Sequence, residues 1–395
     1  MLESTVIDNA RLPHRPGLYQ IAIKAGHVHQ IEPADAVQPG TRQAIDFAGD
    51  WLSLGAVDLQ INGALGLAFP DLRLRQLDQL QTICERLWQQ GVSGFCPTIV
   101  TTSLDNFHGC LAAIQTFQQR QEQGTRQFEK GAARVLGVHL EGPFLNEAKR
   151  GAHPAEYLQP LTIAAMKRLL GDFASAVCIV TLAPEQGVDD GVIGWLVSQG
   201  ITVSLGHSLA SEAQARGAIA QGATMVTHAF NAMPGLHHRE PGLLGAALSD
   251  PRVSCGFIAD GQHICKTMLD VLLRIGRGGE QSGVQSLEGL FLVSDALSPL
   301  GLPDGHYPWD SRTIEVVNGT ARLPDGTLSG TTLPLVKGAL NLVEWGLCSV
   351  DDAIALITKA PRQAIGIPTL EPGSPADLLR WHQNEQGQLT WQRLQ

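Results

Sequence analysis

Short apolar runs that each close on one ionisable residue recur along this chain, and that recurrence restricts the fold more than any other feature. Val135-Leu-Gly-Val-His139-Leu-Glu141, Ile201-Thr-Val-Ser-Leu-Gly206-His207, Ala223-Thr-Met-Val-Thr-His228 and Leu290-Phe-Leu-Val-Ser-Asp295 all share the pattern. Runs this short and this apolar are strands buried on both faces, as in a parallel sheet covered by helices. Strands are predicted near 55–62, 92–100, 133–141, 176–184, 201–207, 223–230, 253–260 and 289–295. Between the first two, Leu77, Leu80, Cys84, Leu87 and Trp88 recur at helical spacing and predict a covering helix. Eight strands alternating with helices predict an α/β chain built as a TIM (β/α)8 barrel. The C-terminal ends of barrel strands carry the chemistry, so Glu141, His207, His228 and Asp295 are expected to converge on one centre.

The flanks have a different texture. Residues from about Thr5 to Trp51 alternate apolar and polar in short pieces separated by Gly and Pro, as in Tyr19-Gln-Ile-Ala-Ile-Lys, and Pro375-Ala-Asp377-Leu-Leu-Arg-Trp381 returns to the same texture. The expected division is a small β-sandwich domain from 1–53 and 366–395, with 54–365 forming the barrel. Helices are predicted from about Leu333 to Trp345 and from about Val350 to Ile365.

A formal charge of −10 opposes a non-specific nucleic-acid or membrane-surface binder, which needs a basic face. It does not oppose a small anionic ligand, because charges beyond about 8 Å are screened at physiological salt. The seven cysteines are dispersed, odd in number and without a Cys-x-x-Cys pair, which suits a reduced, cytoplasmic protein. No run approaches the roughly 18 apolar residues of a membrane helix, and the first residues lack the pattern of an export signal.

One carboxylate and two imidazoles, Glu141, His207 and His228, form a ligand set suited to a hydrolytic metal site with a position left for water. A single strand-end histidine is more often a hydrogen-bonded structural residue; the conjunction is what points to a metal. Asp295 would suit a helix N-cap, but at the end of the last barrel strand a carboxylate can act first as general base and then as general acid.

Several ordered segments resemble the N-acetylglucosamine-6-phosphate deacetylase family of the amidohydrolase superfamily. They are His139-Leu-Glu-Gly-Pro-Phe-Leu-Asn146, Lys149-Arg-Gly-Ala-His153, Thr181-Leu-Ala-Pro-Glu185, Gly206-His-Ser208, Thr227-His-Ala-Phe-Asn-Ala-Met233, Arg239-Glu-Pro-Gly-Leu243, Ile258-Ala-Asp-Gly-Gln-His263 and Leu292-Val-Ser-Asp-Ala296. Gly-His-Ser alone is a weak signal, whereas the set in this order spans nearly the whole chain. The resemblance implies hydrolysis of the acetamide of N-acetyl-D-glucosamine 6-phosphate to glucosamine 6-phosphate and acetate, in amino-sugar recycling, by a homodimer. It makes Glu141, His207 and His228 the metal ligands, Asp295 the acid/base, and His153 the group that polarises the substrate carbonyl. Ala152, Asn231, Ala232, Arg239 and His263 become substrate contacts, with Arg239 reaching the phosphate in the neighbouring subunit's site. His237 and His238 are read as a solvated turn.

Two-metal amidohydrolases carry His-x-His on the first strand, where alternate residues share a side. This chain has Gln60-Ile-Asn62 there, and neutral amides are poor ligands, so one divalent metal per subunit is expected, with Gln60 holding a water or the substrate. Zinc is the first choice; Fe2+, Co2+ and Mn2+ are alternatives. Two rival readings are another amidohydrolase reaction, on a cyclic amide or small dipeptide, and a non-catalytic sugar-phosphate sensor.

Overall fold

The computed structural model describes residues 4–36, 44–123, 131–189, 191–277, 287 and 289–394. Eight parallel strands make the centre: β1 (Ala56–Ile61), β2 (Val92–Val100), β3 (Val138–Glu141), β4 (Val177–Leu182), β5 (Thr202–Leu205), β6 (Met225–Val226), β7 (Ser254–Phe257) and β8 (Leu290–Leu292). Each pairs in parallel with the next, for example His139 with Thr98 across β2 and β3, and Cys255 with Leu290 across β7 and β8. A parallel bridge from Ile61 to Ala296 joins β1 to the chain leaving β8, with Asn62 N–H donating to the Ala296 carbonyl at 2.7 Å. The expected barrel is therefore present and nearly closed.

Burial explains why these segments read as continuous apolar runs. All residues of β1, β3, β6 and β8 are buried, which only a sheet covered on both faces requires. The helix Leu77–Gln89 turns Leu77, Leu80, Ile83, Cys84 and Leu87 onto the barrel. Ser103 caps Leu104–Glu122 by accepting from Asn106 N–H, and Ser211 caps Glu212–Ala220 by accepting from Gln214 N–H.

Three expectations change in detail. The sixth and eighth strands are shorter than 223–230 and 289–295, because the residues that follow leave the ladder: His228, Phe230 and Asp295 have φ of 24°, 73° and 47°. The single helix expected to Ile365 is two, Val350–Ile357 and Lys359–Ala364. Pro361 lacks an N–H and its ring clashes with the carbonyl of Ile357, so the first helix cannot continue. An antiparallel sheet that was not anticipated, Gly305–Trp309, Arg312–Val317, Thr320–Arg322 and Leu328–Thr331, follows β8 and buries Leu297, Trp309, Ile314 and Val316.

The two chain ends share one sheet. Leu378–Gln383 pairs antiparallel with Trp51–Leu54, which continues through Ser4–Leu12 to Arg15–Lys24 and His27–Pro33. Ile7, Ile21, Phe47, Leu52 and Leu378 form its core, separate from that of the barrel. No helix among the described residues is long and apolar enough to cross a membrane.

Candidate active site

The carboxyl ends of β3, β5 and β6 place Glu141, His207 and His228 together, all buried, with one potential ligand atom from each within 4.8 Å of the others. Glu141 Oε1 is 3.2 Å from His207 Nε2 and 3.1 Å from His228 Nε2, and the two Nε2 atoms are 3.0 Å apart. His207, His228 and Asp295 all adopt positive φ, with His207 at 47°. Left-handed backbone at non-glycine residues is strained, and strain of this kind collects at functional sites.

The protons around these atoms test whether a cation fits. His207 Nδ1 lies 2.9 Å from the Lys149 carbonyl, which can only accept, so Nδ1 carries the proton and a neutral ring offers an Nε2 lone pair. His228 Nδ1 is buried without a partner. A proton on His228 Nε2 would serve one of the three facing contacts; a divalent cation serves all three. Ligand atoms about 2.1 Å from a common tetrahedral ion stand roughly 3.4 Å apart, close to the separations here. Burial works to raise the Glu141 carboxyl, yet hydrogen bonds and charge from His207 and His228 outweigh it and hold it well below its usual range. The site is built for an ionised carboxylate, which suits a divalent metal.

The two first-strand amides each hold one of the acids. Gln60 donates from Nε2 to Glu141 Oε1 at 3.0 Å and accepts at Oε1 from the Thr227 hydroxyl at 2.6 Å. Gln60, expected to hold a water or the substrate, is thus engaged at both ends of its amide and supports Glu141 instead. Asn62 donates from Nδ2 to Asp295 Oδ1 at 2.7 Å. Burial, and then the charge of Glu141, push the Asp295 carboxyl above its usual range, while His228, His263 and Asn62 pull the other way.

His153 is buried beside this group. Its Nδ1 lies 3.3 Å from the Thr101 backbone N and 2.9 Å from the Thr101 hydroxyl, and its Nε2 lies 3.9 Å from Glu141 Oε2. Burial lowers its pKa to about 3, which keeps the imidazole neutral, with Nε2 on the side of Glu141. Ala152, its neighbour, accepts from Arg312 Nη2 at 2.6 Å, so the unanticipated sheet braces this segment. His139 ends a similar run but has a structural role: its ring nitrogens bond the Leu59 carbonyl at 3.0 Å and the Thr181 hydroxyl at 2.7 Å. Burial lowers its pKa to about 4.

The outer contacts divide. His263 is locked by Asp260, whose Oδ2 lies 2.7 Å from its Nδ1 and whose Oδ1 accepts its backbone N–H at 2.8 Å. Asn231 turns its donors inward: its backbone N–H donates to the His228 carbonyl, and its Nδ2 to the carbonyls of His228 and Ala229. Its N–H groups are thus engaged within the loop, and its amide oxygen is left for a ligand. Ala232, at φ 51°, has no bond on its N–H among the described residues. Arg239 is exposed on the loop with His237 and His238, and its Nη1 lies 2.9 Å from His238 Nε2. Asn62, Thr101 and Asp260 were not anticipated as site residues; only Asn62 had a sequence signal, its i, i+2 spacing from Gln60.

No family model matches this sequence. N-acetylglucosamine-6-phosphate deacetylase of Bos taurus is 36% identical over 346 residues, which cover 85% of this chain and 80% of that protein. The chain belongs to the N-acetylglucosamine-6-phosphate deacetylase family. Within the family it is also similar to the N-acetylgalactosamine-6-phosphate deacetylase of Escherichia coli O157:H7, 31% identical over 359 residues and covering 89% and 90% of the two chains. The crystal structure of N-acetylglucosamine-6-phosphate deacetylase from Pasteurella multocida superposes with a TM-score of 0.81 at 26% identity, covering 99% of this chain and 100% of that one. The family likeness therefore extends over the barrel, the terminal sheet and the sheet inserted after β8.

Proposed function

We propose that this protein hydrolyses the acetamide of N-acetyl-D-glucosamine 6-phosphate to D-glucosamine 6-phosphate and acetate, as a step of amino-sugar recycling. The observation that carries the reading is the meeting, at the mouth of a barrel of this family, of three converging ligand atoms with a buried, neutral His153 and a buried Asp295. A divalent ion held by Glu141, His207 and His228 supplies Lewis acidity, which activates a water and polarises a carbonyl. Zinc suits this nitrogen and oxygen set best, ahead of iron, cobalt or manganese.

Asp295, ionised and held by Asn62, accepts the proton of the attacking water and returns it to the amide nitrogen as the C–N bond breaks. His153 Nε2–H donates to the carbonyl oxygen as negative charge develops there. His263, fixed by Asp260, presents Nε2 to the sugar, and Ala152 lies beside His153 in the same cavity wall. The Ala232 N–H, with no acceptor among the described residues, and the amide oxygen of Asn231 are the groups this reading gives to the sugar phosphate. Arg239, exposed and without a carboxylate partner among the described residues, reaches the phosphate of a neighbouring subunit in a homodimer. The seven free cysteines suit a cytoplasmic enzyme, and 1–53 with 366–395 act as a domain apart from the barrel of 54–365.

The likeness to an N-acetylgalactosamine-6-phosphate deacetylase makes the epimeric sugar phosphate the second substrate to assay. Acetate release is measured with both phosphorylated sugars, with unphosphorylated N-acetylglucosamine, and after chelation. Rapid, chelator-sensitive release from N-acetylglucosamine 6-phosphate is expected. Faster release from the galactosamine epimer would reassign the substrate, and no release from either by protein carrying its metal would defeat the proposal.

A further inference from the structure

At the opposite end of the barrel, a cavity of about 260 Å³ lies between the turn that joins the first two strands of the terminal sheet and the helix Lys359–Ala364. His14, Arg15, Lys359 and Arg362 line it, and no carboxylate does. Arg362 is only 8% exposed. Its Nη1 donates to the carbonyls of Gly55 at 2.9 Å and Thr358 at 2.8 Å. Those two bonds use both Nη1 hydrogens, so the N–H groups of Nε and Nη2 have no acceptor among the described residues. Buried charges are otherwise paired, because an uncompensated ion costs several kcal/mol to desolvate. Burial lowers the Arg362 pKa to about 10, far too little to discharge it near neutral pH.

The two acids beside His14 are already engaged. Asp351 accepts from His14 N–H and from Trp51 Nε1, and Asp352 lies 3.6 Å from both His14 Nε2 and Arg277 Nη2. Arg15 and Lys359 are exposed and enter no ion pair among the described residues; Arg15 makes only a long 3.5 Å bond to the Leu370 carbonyl. Leu12 and Leu370 give the cavity an apolar wall.

We infer that this cavity binds a tetrahedral oxyanion, as free phosphate or a small phosphate ester, with Arg362 as the buried anchor and Arg15 and Lys359 at its rim. The three free donors of Arg362 match oxyanion geometry, and the two rim cations supply the charge that a doubly ionised group needs. The site is independent of the reaction proposed for the barrel mouth.

The test is calorimetric titration of the full-length protein with inorganic phosphate in chloride buffer, in an Arg239→Ala background that silences the phosphate contact proposed at the mouth. One equivalent of phosphate is expected to bind still, and Arg15→Glu or Lys359→Glu to weaken it about tenfold or more. Both positions are exposed, so these variants test the site even where Arg362→Gln fails to fold. Crystals soaked in selenate are expected to show an anomalous peak beside Arg362. Glycerol 3-phosphate binding more tightly than inorganic phosphate would identify an ester whose body rests on Leu12 and Leu370; equal affinity would identify free phosphate. Phosphate binding lost in Arg239→Ala alone, or unchanged by both charge reversals, or selenate found only at the barrel mouth, overturns the inference.

Discussion

Replacing Asn62 with Ala takes one donor from Asp295, and its effect can be worked out in sign and size. The bond is 2.7 Å long, buried, and made to a carboxylate. A hydrogen bond to a charged group contributes about 1.5–3 kcal/mol, and one pKa unit corresponds to about 1.4 kcal/mol, so its loss moves the Asp295 pKa by about 1–2 units. The direction is upward. Burial and the charge of Glu141 already raise this carboxyl, and Asn62 is among the groups that oppose them. Ionised Asp295 is the form that accepts a proton, so the acid limb of kcat/KM against pH should move to higher pH by about 1–2 units. A cation at Glu141 lowers Asp295 alike in both proteins and leaves the difference intact. Stability should fall by no more than about 1–3 kcal/mol, because Asp295 loses a buried partner while Ala also removes the Asn62 Oδ1, which has no partner among the described residues. The assay is a pair of pH–rate profiles, with melting temperature and metal content measured alongside. A limb that stays in place while activity falls evenly at every pH, or one that moves to lower pH, would refute this account of Asn62.

Gln60→Leu strips Glu141 of its Nε2–H partner and should weaken metal retention by about 10- to 100-fold, read as metal per subunit against a graded chelator. Retention equal to that of the unaltered protein would separate Gln60 from the metal. His153→Ala should lower kcat by about 10²- to 10³-fold with metal content unchanged if its Nε2 donates to the developing charge as proposed. Arg239→Ala should raise KM for the phosphorylated sugar by about 10- to 100-fold and leave the unphosphorylated sugar unaffected. Equal losses on both sugars would detach Arg239 from phosphate recognition.

The barrel was legible because its strands are buried on both faces, so each appears as an apolar run whose closing ionisable residue marks where it leaves the core. The same rule found Glu141, His207, His228 and Asp295. It could not separate His207 from His139, which stands two residues before the end of its own run. At that depth the ring meets the Leu59 carbonyl and the Thr181 hydroxyl, and those partners lie 80 and 42 residues away in sequence. The inserted sheet escaped notice because its strands are short, partly exposed and broken by turns, as in the pattern of Gly305–Trp309. Asp260 and Thr101 escaped because an Asp in a loop and a backbone N–H carry no pattern until the chain has folded around the histidine each one orients.

The first strand shows why the site reads as mononuclear. Gln60 stands in β1 and Asn62 directly after its end, two residues on, where two histidines would add two more ligands. Here the two amides go instead to the two acids, Gln60 to Glu141 and Asn62 to Asp295. Each amide donates one N–H and brings no charge. With one carboxylate fixed among the imidazoles and the other held apart on Asn62, the single divalent ion proposed above would balance the first and leave the second free to move a proton. A second cation beside β1 would have to draw on neutral amide oxygens, and Gln60 Oε1 is already taken by the Thr227 hydroxyl, which leaves only Asn62 Oδ1 on offer from this pair.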